Sequence, residues 1–322
     1  MKAISIHRLI PLFSLAMGCS LAIMPPILAQ PEAVQQNLSE LRPLTNGDSV
    51  FSMAGGNALM DEAIAAIGAK DYAVAVERLQ SARQVFNQLS NFHLDLANGF
   101  QGIDNGIYNV EKKLALDAGT MRDTATYRLA LVHRAQEKPE LAVPLLIQVV
   151  RSQSPVSDLG GKSYQQLYEI GFVPSVFPKS AEVTAPNTNE LSILSMTGGK
   201  GLMDQAIAAI TNKDYDTAVQ RLQDARQVFN QLSNFHLDLA NSFQGIDLDI
   251  YDVERKLALD AGTMRDTATY RLALAHRAQN KPELAVPLLI QVIKSQNPTS
   301  DLGKKSYQQL YELGFAPSEF KR

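Results

Sequence analysis

The chain has 322 residues, of which 45% are hydrophobic, with a formal net charge of −3, no tryptophan and a single cysteine. Its charges are dispersed with no basic block, which argues against nucleic-acid binding and against a polybasic membrane surface. One cysteine makes no disulfide within the chain, and it sits so near the start that a processed form would carry no thiol at all.

Residues 1–29 read as an export signal of bacterial type. Lys2 and Arg8 form a short basic start, Leu9 to Met24 is apolar, Pro25-Pro26 break any helix, and Ile27-Leu28-Ala29 precede Gln30 as a cleavage site. The apolar run is 16 residues long and contains Pro11. That is short of the roughly 20 residues needed to span a bilayer. Cys19 follows Leu15-Ala16-Met17-Gly18; a lipobox would put leucine where Ala16 stands, and apolar sequence continues past the cysteine, so lipoprotein anchoring through Cys19 is not expected. Cleavage removes two of the 30 basic residues and none of the 33 acidic ones, so the net charge falls by two, to −5. The expectation is an exported protein, periplasmic or secreted, with no membrane insertion after signal cleavage.

Residues 30–51 are polar, with Pro31, Pro43 and Asn46-Gly47, and read as a flexible leader. Beyond them the chain carries one unit twice. Residues 56–172 recur at 199–315, offset by 143, with about 22 differences over 117 aligned positions. The organisation read from this is unit 1 over 52–172, a proline-bearing linker over 173–194, unit 2 over 195–315 and a tail over 316–322.

Within a unit every strong pattern is helical. Leu59, Ala63, Ala66 and Ile67 share one face of a first helix. Asp71 is a good N-cap for a second, whose apolar stripe runs Tyr72, Val76, Leu79, Phe86 and Leu89. Thr120 with Asp123 three residues on gives a capping-box signature ahead of Tyr127, Leu129 and Leu131. Pro139 opens another helix at its first position, and Ser157-Asp158 open the last, with Gly171 placed as a left-handed cap that folds Phe172 back. Pro144 and Pro287 fall inside helices and are read as kinks. No segment alternates with period two for long enough to suggest a strand.

The stretch from Thr126 to Leu146 resembles a tetratricopeptide repeat (TPR). Leu129-Ala130 fall at the family's Leu-Gly pair, Ala142 at its second-helix alanine and Leu146 at its large apolar position, with Pro155 near its closing proline. Lys70-Asp71-Tyr72 with Ala75, Leu79 and Ala82 resembles the second half of another repeat, 67 residues from Ala75 to Ala142, or about two 34-residue periods. The middle third matches weakly, and His133 and Pro139 depart from the family pattern. The resemblance implies an all-α fold of two tandem TPR-like α-solenoid domains, each of about three helical hairpins plus a C-terminal capping helix. A rival reading is one long helix over 71–117, because Tyr72, Leu79, Phe86, His93, Phe100, Ile107 and Leu114 form a heptad column. Ser90-Asn91 and Asp104-Asn105-Gly106 favour breaks.

Little suggests catalysis. His93-Leu94-Asp95 sits at i and i+2, on different helix sides, and reads as a packed or boundary histidine. Gly161-Lys162-Ser163 imitates the end of a phosphate loop, but the earlier glycine is Val156 and the second copy reads Lys304-Lys305-Ser306. Gly55-Gly56 and Gly198-Gly199 read as loop-to-helix entries. No cofactor, metal site or enzyme activity is expected. What the resemblance does imply is a concave helical surface: its register points outward Tyr127, Leu131 and Arg134, with Arg122 at the amino end of that helix, repeated as Tyr270, Leu274, Arg277 and Arg265. The expectation is a non-catalytic adaptor that binds a protein or peptide through a surface presented twice. The alternative is a structural component of a cell-envelope assembly; a small-molecule binder or enzyme ranks below both.

Overall fold

Each copy of the repeat folds into five helices, and the same residues start and stop them in both. In a computed structural model describing residues 51–177 and 193–318, the first copy holds α1 (Met53–Gly68), α2 (Tyr72–Phe100), α3 (Asn105–Ala135), α4 (Pro139–Gln153) and α5 (Asp158–Glu169). The second holds α6 (Met196–Thr211), α7 (Tyr215–Phe243), α8 (Leu248–Ala278), α9 (Pro282–Gln296) and α10 (Asp301–Glu312). The described residues contain no strand, so the fold is all-α. The signal, most of the leader, the centre of the linker and the end of the tail lie outside the described residues.

The helix starts follow from capping chemistry. Ser52 accepts from Gly55 N–H at 2.9 Å, Asp71 from Val74 N–H at 3.1 Å, and Ser157 from Gly160 N–H at 3.0 Å, each satisfying a donor that the first helical turn leaves open. Pro139 takes the first position of α4. At the end of α5, Gly171 has φ +76°; its N–H donates to Tyr168 O, and the N–H of Phe172 donates to Leu167 O, which is the Schellman arrangement.

The middle of the unit departs from three hairpins plus a cap. Only Asp104 breaks the 71–117 stretch, accepting from Gly106 N–H at 2.8 Å and Ile107 N–H at 3.0 Å. Ser90 stays helical because its hydroxyl donates to Ala115 O across the α2–α3 contact, at 2.8 Å. Thr120 is no cap either. Its hydroxyl donates back to Leu116 O at 3.0 Å, and Asp123 is turned inward instead, fully buried. One long antiparallel pair, α2 with α3, therefore takes the place of the four shorter helices that three hairpins would put there. Alanines line it: Ala75, Ala82, Ala118 and Ala125 are all fully buried, and their small side chains let the two backbones run close. Gly56 serves the same end inside α1, where a Cβ would lie 2.5 Å from the Phe86 ring, so it is a packing glycine rather than a loop entry. The helix α4 continues through Pro144, as α9 does through Pro287.

Both copies lie within one compact unit, and its hydrophobic clusters do not follow the sequence repeat. One cluster is confined to α1–α3, around Leu79, Phe86 and Leu129. The largest joins α4 and α5 of the first copy to α6–α8 of the second, and Val173 and Leu194, the described ends of the 173–194 segment, are buried in it. A small third cluster closes α9 and α10. The copies thus meet through a packed joint.

Candidate functional site

The most regular surface feature is a polar cleft that occurs once in each copy. In the first it is lined by Gln80, Arg83, Gln84 and Asn87 of α2, Arg122 of α3 and Gln148 of α4. The second presents Gln223, Arg226, Gln227, Asn230, Arg265 and Gln291, the same residue at every position. The volumes are about 270 and about 280 Å³.

The cleft arises from helical spacing. Residues 80, 83, 84 and 87 recur at three- and four-residue steps, so they form one stripe of α2. Their apolar counterparts Leu79, Ala82 and Phe86 face the core. The α3 and α4 helices then supply one residue each. Arg83 donates to Gln148 Oε1 at 2.8 Å, which bridges α2 and α4; Arg226 makes the equivalent bond to Gln291 at 3.0 Å. Arg122 is fixed from below. Its Nε donates to Asp123 Oδ1 at 2.8 Å and a terminal nitrogen donates to Ser152 Oγ at 3.1 Å. Ser152 and Gln153 in turn donate to the other carboxylate oxygen of the buried Asp123. The second copy repeats this network with Arg265, Asp266, Ser295 and Gln296.

Two guanidinium groups therefore share one cleft, and the carboxylate that offsets them is sunk beneath its floor. Partial burial and the neighbouring Arg122 charge draw Arg83 below the ordinary guanidinium range, with Asp123 opposing. Like charges held together favour any anion that enters between them. Arg83 has more N–H donors than its bond to Gln148 uses, and the amides of Gln80, Gln84 and Asn87 offer both donors and acceptors.

The outward residues expected from sequence do not form one patch. Arg122 and Arg265 line the clefts. Arg134 lies about 18 Å further along α3, by helical rise. It donates there to Glu169 Oε2 at 2.6 Å and to Gln166, tying α3 to α5. Arg277 makes the matching ties to Glu312, at 2.6 Å, and Gln309. Tyr127 is half-buried against the central cluster and Tyr270 against the terminal one, and burial raises the pKa of both phenols. Leu131 and Leu274 are half-buried. The stripe of Gln80, Arg83, Gln84 and Asn87 carries no mark in the sequence that separates it from an ordinary solvated helix face.

His93 Nδ1 lies 2.7 Å from Glu111 Oε2, across the α2–α3 pair, so its carboxylate partner comes from another helix rather than from Asp95. Among the described residues no group of three or more His, Cys, Asp or Glu side chains is placed to hold a metal, and no helix is long and apolar enough to cross a membrane. No protein-family model matches this chain, and no curated protein matches it.

Proposed function

We propose that this chain is an exported, non-catalytic binding scaffold of TPR-like helical hairpins, whose partner is an extended protein or peptide segment bearing acidic side chains. The observation that carries the reading is the pair of identical arginine–amide clefts, one per copy. Each is polar and at or below the lower end of small-molecule pocket volumes, so it suits a side chain and adjoining main chain better than an enclosed ligand. Two arginines supply charge-assisted bonds to a carboxylate, and the glutamines and asparagine match peptide N–H and C=O groups. Presented twice, such a site raises effective affinity for a repetitive partner by roughly 10²–10⁴ when both clefts engage.

The test uses synthetic peptides rich in Asp and Glu, measured against the purified chain by fluorescence anisotropy at several salt concentrations. Binding that weakens with salt is expected. The doubly substituted chain, Arg83→Ala with Arg226→Ala, is expected to lose roughly ten- to a hundred-fold, the value of one hydrogen bond to a charged group per cleft. Arg83 is chosen over Arg122 because its removal leaves the buried Asp123 network intact. Unchanged affinity in the double variant would remove the clefts from the proposal. Failure of every acidic peptide to bind would remove the ligand class.

A further inference from the structure

The joint inside the chain brings together two surfaces that the repeat also leaves, unjoined, at its two ends. Within the joint, Phe172 packs edge-on against Phe235 with ring centres 6.4 Å apart and stacks on His236 at 4.9 Å. Tyr164 and Phe177 close on Phe243 at 4.7 and 5.1 Å. At its edge Arg151 of α4 pairs with Asp238 of α7 at 3.0 Å. One side of this joint belongs to the end of copy one and the other to the start of copy two.

Shifting every position by the repeat offset gives the free surfaces. The α7 side, with Phe235, His236, Asp238 and Phe243, recurs on α2 as Phe92, His93, Asp95 and Phe100. The opposite side, with Arg151 and Phe172, recurs as Lys294 and Phe315. One change in these six positions, arginine to lysine, keeps the charge.

Burial shows what these free surfaces lack. Ile250 is 1% exposed in the joint and its counterpart Ile107 is 40% exposed. Phe92 is 54% exposed and Phe315 61%, although Phe235 and Phe172 are half-buried. Val143 and Val150 are buried, whereas Val286 and Ile293 are only partly so. Beside Phe315 an apolar groove of about 370 Å³ opens between Pro282, Val286, Pro287 and Leu313. The clusters give the same picture at larger scale. The α9–α10 cluster is the counterpart of the α4–α5 part of the central one, and the α1–α3 cluster is the counterpart of its α6–α8 part.

We infer that the chain assembles head to tail, the α9–α10 end of one chain docking on the α2–α3 face of a second copy in the arrangement that α4–α5 and α7–α8 adopt within a single chain. Phe315 of one copy then meets Phe92 and His93 of the next, and Lys294 meets Asp95. The contact is heterologous, so each added chain leaves the same two surfaces free, and growth ends only when a ring closes. The assembly does not depend on the arginine clefts.

The test is light scattering over a range of concentrations, combined with zero-length carbodiimide cross-linking of a mixture of ¹⁴N- and ¹⁵N-labelled chains. The expected results are a mass that rises with concentration and a Lys294–Asp95 link joining differently labelled chains. Phe315→Glu and Phe92→Glu each disable one surface at an exposed position and are expected to be monomeric. Mixed one to one, they retain one working surface each and are expected to stop at a dimer. A single-chain mass at every concentration would overturn the inference. So would assembly that survives either substitution, or a Lys294–Asp95 link found only within one chain.

Discussion

Phe243→Ala is expected to destabilise the chain by about 3–5 kcal/mol, the cost of removing a fully buried aromatic ring. Phe100→Ala, the same change at the matched position of copy one, is expected to cost only about 1 kcal/mol. The helices differ little in sequence around the two sites, Leu96-Ala97-Asn98-Gly99-Phe100 against Leu239-Ala240-Asn241-Ser242-Phe243. Their surroundings differ. Phe243 is fully buried between Tyr164 of the preceding copy and Phe177 of the linker, whereas Phe100 is half-exposed. Urea unfolding of dilute chain, where each molecule is alone, reads the difference as a larger drop in midpoint for Phe243→Ala. Equal drops would mean that the joint adds nothing to stability.

Gly160→Ala is the second large effect. The turn before α5 holds Ser154 at φ +65°, and its carbonyl accepts from both the N–H and the hydroxyl of Ser157. That carbonyl sits directly over Gly160: a Cβ there would lie 1.9 Å from the oxygen and 2.7 Å from the carbon of Ser154. The obstacle is backbone, so the turn itself has to move, and a loss of about 3 kcal/mol is expected. Gly303 stands in the same relation to Asn297, with a Cβ 2.0 Å from its oxygen. Gly161→Ala supplies the control. Its Cβ would lie 3.2 Å from Pro155 O, and the second copy already carries Lys304 there, so little change is expected. Urea midpoints of the two variants separate the outcomes, and comparable losses would contradict the steric account.

The ends of most helices were legible because caps are local. Asp71, Pro139, Ser157 and Gly171 act within four residues of themselves, and each does what its chemistry suggests. Thr120 and Asp123 show where local reading stops. The pair spells a capping box, but Asp123 serves instead to hold Arg122, Ser152 and Gln153 together across α3 and α4, and only the arrival of α4 makes that the better use of a carboxylate. Ser90 stays in a helix for the same reason, since its partner is a carbonyl on α3.

The candidate site was legible in part. Arg122 and Arg265 could be picked out as surface residues at the amino end of a predicted helix, but the four residues that α2 or α7 adds to each cleft look like any polar helix face until α4 or α9 folds beside them. Arg134 and Arg277 were equally plausible by type, and their carboxylate partners on α5 and α10 are more than thirty residues away. The joint was the least legible feature. Two nearly identical sequences give no hint that one Phe172-type ring is packed against a neighbour while the other is open, because what differs is position in the array and not the residues.

Hydrogen exchange on dilute chain tests that joint most directly, at the amides of 96–100 and 239–243. The account predicts markedly slower exchange at 239–243, where the preceding copy seals the end of α7. Equal exchange in the two segments would show that the copies do not pack as described, and would remove the template from which head-to-tail assembly follows.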